Sequence, residues 1–402
     1  MKKNISDYAR YGIYAYAFAS TVSITLCEIF FIIALILWFL DIIRKNVSLK
    51  GIFPVYAVVP FAVFALIHVL AAFFGVDPLN SIKDSKKLYL LLMIFPAGIY
   101  LRGPDRIRTA LNFFAAGSVF TGLYAIGSAV FFRFIKEDIY FRASSFSGGY
   151  MQLGGMMMLS VVVIASLLVY EIKVREKGSF MPWLYGGALI IVSPALLFTY
   201  TRGSYIGALA GLAVIMFLSG KRVFIAGLIL MTAGMFLVKD TSFAQRLMDT
   251  ARYKETRGSD MERILMWKSG IEIIKDYPVL GVGTANVSKV YEKYRSERAK
   301  EKEQAHLHNN IIQVGAINGI PGILAVLWMF GALFIMQIKG AVKSAGFNKA
   351  VFTALAASTA AFFINGLFEY NLFSSQVALI FWFLTGAGFA LYGGRMLRDE
   401  KS

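Results

Sequence analysis

The 402-residue sequence contains one cysteine, Cys27, and three histidines, His68, His306 and His308. Cys27 sits in an apolar run, which leaves neither a disulfide framework nor a cysteine metal site open. Charge is also scarce. Only 16% of residues are Asp, Glu, Lys or Arg, 57% are hydrophobic, and mean hydropathy is +0.63. That balance excludes an ordinary soluble domain, because stretches such as Val22–Leu40 and Val351–Leu367 lack the polar face a soluble helix needs. No internal repeat or low-complexity tract is present. Lys2 and Lys3 precede an apolar segment with no small-residue cleavage site, so that segment is expected to stay as a first membrane helix.

What the chain has instead is a succession of apolar segments near the length that crosses a hydrocarbon core. The expected fold class is an all-α polytopic membrane protein with about twelve transmembrane helices. They are expected at 11–22, 25–43, 53–75, 86–101, 107–134, 148–170, 182–199, 203–219, 222–238, 308–338, 348–368 and 371–394. Residues 11–43 read equally as one long tilted helix or as two broken near Ser20–Ser23. Three regions follow: membrane helices in 1–238, a loop at 239–307, and membrane helices in 308–402.

The net charge of +17 does not point to nucleic acid, because the basic residues lie in short loops between apolar segments. Arg44 and Lys45, Arg102 and Arg106, Lys173 and Arg175, Lys221 and Arg222, and Lys339 and Lys343 all fall on one side with both termini. That is the positive-inside pattern, and it makes this side cytoplasmic. The opposite face carries 239–307, the one long hydrophilic stretch. Its 14 Lys/Arg and 11 Asp/Glu nearly balance. Ser259 to Glu262 forms a capping box, with Met261, Ile264, Leu265, Ile271 and Ile274 following at helical spacing, so a helix is expected up to Tyr277-Pro278. A second helix is expected from about Ser288 to Glu303.

Candidate chemistry collects on this outer face. Thr201-Arg202-Gly203-Ser204 puts an arginine where two apolar helices meet, a position that also suits an arginine snorkelling to lipid headgroups. Arg263 and Trp267 lie one helical turn apart, ahead of the turn Pro278 to Asn286 with its Gly-x-Gly; a solvated surface charge is the plainer reading of Arg263 alone. Ala305-His-Leu-His-Asn-Asn310 leads into a membrane helix, so His306 and His308 flank one residue at its outer mouth. An imidazole suits proton transfer near neutrality. Two histidines at i and i+2, with no cysteine, make a poor metal set. His68 lies within an apolar helix and reads as a packed core residue. Glu369 borders the membrane, where a carboxylate needs a partner such as Arg202 or Arg263.

Taken in order, these motifs resemble the bacterial O-antigen ligase family, within a wider ligase/polymerase superfamily that handles polyprenyl-linked glycans. The string is Thr201-Arg202-Gly203-Ser204, then Arg263 and Trp267 before Pro-Val-Leu-Gly-Val-Gly. His308-Asn309 opens a helix with Gln313 and Asn318-Gly-Ile-Pro-Gly322, and Glu369 follows. Arg142–Gly155 is similar to the family's segment entering a mid-chain helix. The resemblance covers about 140 to 395.

The resemblance implies a C-type glycosyltransferase fold and inverting, metal-independent transfer without a cofactor. The glycan would move from undecaprenyl diphosphate to lipid A-core at the periplasmic face of the bacterial inner membrane. It implies that Arg202 and Arg263 bind the diphosphate and that His308 is essential. His306, Trp267, Asn309, Glu369 and Arg142 are expected in support. The closest rival is a polymerase joining repeat units on the same carrier. A protein O-oligosaccharyltransferase is a third reading. A transporter would place its charges nearer the bilayer midplane.

Overall fold

A computed structural model describes residues 5–44, 51–138, 140–146, 148–174, 178–238 and 259–399. The described residues are helical, with no strand among them. Among the described residues, eight helices are long and apolar enough to cross a membrane, and Met181–Leu197 is a shorter apolar helix. The chain is a polytopic membrane protein.

α1 (Ile5–Val22) and α2 (Ile24–Ile43) are two helices, not one. Ser23 caps α2, its side chain accepting from the Leu26 N–H. The pair folds back on itself: Gly12 lies against Ile33, Tyr16 against Phe31, and Ser6 Oγ donates to Asp41 at 2.9 Å. The outer face of α2 leaves Ile29, Ile32, Ile36 and Phe39 exposed, as residues facing lipid should be.

After α3 (Val55–Phe73) comes α4 (Pro78–Asp84), and the expected helix over 86–101 is instead two pieces, a 3₁₀ stretch (Ser85–Met93) and α5 (Ile94–Tyr100). Hydropathy registers the apolar content of this stretch but not the tighter winding. α6 (Pro104–Val130), α7 (Tyr150–Val174), α8 (Met181–Leu197), α9 (Arg202–Ser219) and α10 (Lys221–Val238) follow. The loop contributes α11 (Ser259–Asp276) and α12 (Val287–Tyr294), and the chain closes with α13 (Asn310–Lys343), α14 (Gly346–Asn365) and α15 (Ser375–Asp399). α15 is almost wholly enclosed by other helices. α12 ends at Tyr294, well short of Glu303.

Contacts sort the chain's turns into two ends. At one, Asp41 accepts from Ser6 and Tyr100, Arg108 lies 3.6 Å from Glu171, and Lys173 reaches the Ser219 carbonyl. At the other lie the segments around Gly75, Asp84, Arg142, Tyr200, Gly283, His308 and Glu369. The basic turns belong to the first end and the candidate site to the second.

α13 is broken at Gly319 (φ 70°, ψ −170°), just before Pro321. A broken membrane helix must find new partners for the backbone groups it releases. Pro321 cannot donate to Ile317, so that carbonyl takes the Gly283 N–H at 3.1 Å. The Ala316 carbonyl takes the Val282 N–H at 2.8 Å, and the Ile320 N–H turns to the Pro278 carbonyl at 2.8 Å. The Gly-x-Gly turn and the Asn-Gly-Ile-Pro-Gly stretch are therefore one structure. A Cβ on Gly281 would lie 2.5 Å from the Ala316 carbonyl oxygen, and one on Gly319 would lie 2.5 Å from Val279 backbone.

Beneath this joint, α11, α12 and the first half of α13 share a small core of Met266, Ile273, Val287, Tyr291, Leu307 and Ile317. The buried face of α11 is Leu265, Met266, Ser269 and Ile273, whereas Met261, Ile264 and Ile271 are exposed. The helix forms where its pattern predicts, but it turns a neighbouring face inward. The Ser259 side chain of the expected capping box, like 239–258, lies outside the described residues.

Candidate active site

The site is built where α13 begins. Asn309 caps that helix, accepting from the Ile311 and Ile312 N–H groups at 2.9 and 3.0 Å. Its own amide donates to the Leu367 carbonyl at 2.9 Å, tying the helix start to the turn after α14. The Asn310 N–H donates to the Gly366 carbonyl, and its side chain bonds Asn371 at 2.6 Å. Asn371 bonds Asn365, which reaches Ser204 on α9. This buried amide network holds three helix ends together at one level. Polar side chains that satisfy one another in this way are what a membrane interior tolerates.

His308 is held in the left-handed backbone region (φ 46°), uncommon for a residue with a Cβ and maintained here by the bonds on either side. Its Nδ1 lies 3.2 Å from Glu369 Oε2, and Arg263 Nη2 donates to Glu369 Oε1 at 2.6 Å. One carboxylate thus joins the histidine of the α13 cap to the arginine of α11. A carboxylate only accepts, so it is Nδ1 that carries a proton here, and Nε2 is the nitrogen left facing away from Glu369. Among the possible partners for Glu369, the arginine that reaches it is Arg263.

Arg202 opens α9, half-buried, and adjoins Gly203, whose Cα faces Phe368 beside Glu369. Gly207 and Gly211 let α9 lie directly on the Ala361 and Ala357 carbonyls of α14, which fixes where Arg202 emerges. Arg142 has a different place from Arg202 and Arg263. Its Nε and Nη2 donate to the Thr199 and Tyr200 carbonyls at 2.9 and 2.7 Å, and its guanidinium stacks 3.5 Å over Tyr150. It clamps the turn before Arg202, where Tyr200 also has positive φ. Burial, together with the nearby Arg263 charge, pushes the Arg142 pKa down.

Trp267 packs near Phe368, its indole N–H buried without an acceptor among the described residues. The ring centroids of His306 and His308 lie 4.6 Å apart. Burial first, then the charge of His308, lowers the His306 pKa, which favours the neutral ring. His68 is far from this cluster in function: it takes a bond from Asn318 and packs on Phe64 and Phe373.

A cavity of about 410 Å³ opens beside the cluster. His308, Glu369, His306, Gln313 and Tyr370 form one wall; Asp84, Lys87 and Thr284 form another. The sequence reading missed Asp84 and Lys87 because they sit where an apolar span begins. The signal available was a pair of charges at the outer end of that span. Among the described residues, no group of three or more His, Cys, Asp or Glu side chains is placed to hold a metal ion.

The described residues thus form a bundle of apolar helices with a charged cluster and a cavity of mixed polarity at one end. Residues 187–327 match the family model described as O-antigen ligase. That match covers about a third of the chain and agrees with the resemblance its motifs carry. The matched stretch includes Arg202, Arg263, Trp267, His306, His308 and Asn309, while Arg142 and Glu369 lie outside it. Comparison with curated proteins gave no match.

Proposed function

We propose that this chain transfers O-antigen glycan from undecaprenyl diphosphate to lipid A-core, with inversion, at the periplasmic face of the inner membrane. The single observation carrying this reading is the shared carboxylate: Glu369 holds Arg263 at 2.6 Å and His308 at 3.2 Å, beside a cavity and next to the Arg202 turn.

The chemistry needs two things at opposite sides of one carbon. The acceptor hydroxyl must lose its proton as its oxygen bonds to the anomeric carbon, and the diphosphate must leave with the electron pair of the broken C–O bond. His308 Nε2 takes the proton, with Glu369 stabilising the imidazolium through Nδ1. Arg202 and Arg263 meet the developing negative charge with forked donors that stay protonated throughout. The exposed apolar faces of the surrounding helices suit a donor whose polyprenyl tail stays in lipid.

The basic end of the bundle supports a cytoplasmic assignment for both termini and a periplasmic one for the site. Polymerisation of repeat units on the same carrier is the competing reading, since it uses the same donor chemistry. Purified protein given lipid-linked glycan and lipid A-core in EDTA separates them. Ligation yields glycan on lipid A-core; a lengthened glycan still on the carrier means polymerisation; failure unless a divalent ion is restored overturns the metal-independent mechanism.

A further inference from the structure

The cavity is lined by His308 and Glu369 but by neither Arg202 nor Arg263. The proposed base therefore faces a chamber that the proposed diphosphate ligands do not share. Its far wall is Asp84, which ends α4, and Lys87, one turn on in the 3₁₀ stretch, an ion pair at 2.7 Å. Thr284 Oγ1 also donates to Asp84. This wall is firmly built. Ser81 Oγ donates to the Thr284 carbonyl at 3.0 Å, Asn80 bonds the Ala285 carbonyl and Asn286, and Asn286 returns bonds to Asp77 and Ser81. The α4 end is thus pinned to the loop turn, which is itself locked into the break of α13.

The lining is wrong for a diphosphate: two carboxylates, Asp84 and Glu369, face the space. It is right for a polyhydroxylated ring. Asp84 keeps unused lone pairs after Lys87 and Thr284 are satisfied, because a carboxylate offers about four acceptor positions. Gln152 supplies both donors and acceptors, and Tyr370 and Phe373 give apolar surface for the C–H face of a sugar. The volume lies within the range of pockets that enclose small ligands, roughly 300–1,000 Å³.

We propose that this chamber is the acceptor-saccharide subsite, in which Asp84 and Lys87 bind hydroxyls of the acceptor's terminal sugar while His308 meets the hydroxyl that attacks. The proposal rests on the transferase reading above and adds to it where the acceptor binds.

The test uses the full chain in nanodiscs, with Asp84→Asn, Lys87→Met and Gln152→Leu variants checked for monodispersity. Transfer is measured against lipid A-core concentration at saturating donor, and donor binding is measured separately. Asp84→Asn should raise the acceptor KM on the order of tenfold, the expected loss for a charged hydrogen bond. kcat and donor affinity should stay within about twofold. An unchanged acceptor KM in all three variants, or weakened donor binding instead, overturns the subsite. Should one variant fail to fold, the other two carry the same comparison. Saturation-transfer NMR with deacylated core oligosaccharide decides separately from turnover. A wild-type signal lost in Asp84→Asn supports the subsite even if transfer itself is absent, whereas no wild-type signal refutes it.

Discussion

Arg263 and His308 are joined through opposite oxygens of Glu369, the guanidinium on Oε1 at 2.6 Å and the imidazole Nδ1 at 3.2 Å from Oε2. The carboxylate fixes the histidine tautomer and the direction of the arginine together. Glu369→Gln keeps the shape but can present an N–H to Nδ1, which would move the ring proton to Nε2 and remove the base. Transfer should fall on the order of 10²–10⁴, the usual worth of general base catalysis. Glu369→Asp should fall less. Single-turnover rates at saturating donor check this, and a Gln variant within twofold of wild type would show that the carboxylate does not set the tautomer.

The joint between the loop and α13 should be intolerant of a single methyl group. Gly319→Ala meets Val279 backbone at 2.5 Å and forces an L-residue into a glycine-favoured conformation. A cost of about 1–3 kcal/mol is expected from the backbone strain alone. Gly331→Ala, in the same helix with open space around it, serves as the control. Thermal melting in detergent should separate the two; equal melting temperatures would mean that the break is not sterically fixed.

His306 gives the site a pH dependence of known sign. Its folded pKa lies below the ordinary value of 6.5. Well above the ordinary value the ring is neutral in both folded and unfolded chains and contributes no slope. As pH falls from there, the unfolded chain takes up a proton that the fold resists, so stability declines until the folded value is passed. His306→Asn should flatten melting temperature between pH 7.5 and 5. A slope identical to wild type would assign the dependence elsewhere.

Much of this arrangement was legible in the sequence, and the boundary is physical. The apolar segments follow from composition, whereas Arg263 and His308 stand out through the family resemblance, and the sequence leaves Glu369 open to Arg202 or Arg263 until the contact with Arg263 at 2.6 Å decides it. The break in α13 is not foreseen: a continuous helix is expected over 308–338, and nothing local names Gly281–Gly283 as the partner of the freed carbonyls. Arg142 is expected only in support of the site, and nothing local shows that carbonyls and a tyrosine ring would hold it. α11 had apolar residues on more than one face, and only the position of α13 selects which is buried. Asp84 and Lys87 reach the site through contacts about 200 residues away in sequence, which periodicity cannot encode.

The most direct measurement of the mechanism is transfer from purified lipid-linked glycan to lipid A-core by His308→Ala, with donor binding assayed separately. Loss of the base should slow transfer on the order of 10²–10⁴ while donor affinity stays close to that of the wild type. Near-normal transfer by His308→Ala, above all if His306→Ala abolishes it, would contradict the assignment of His308 as the proton acceptor.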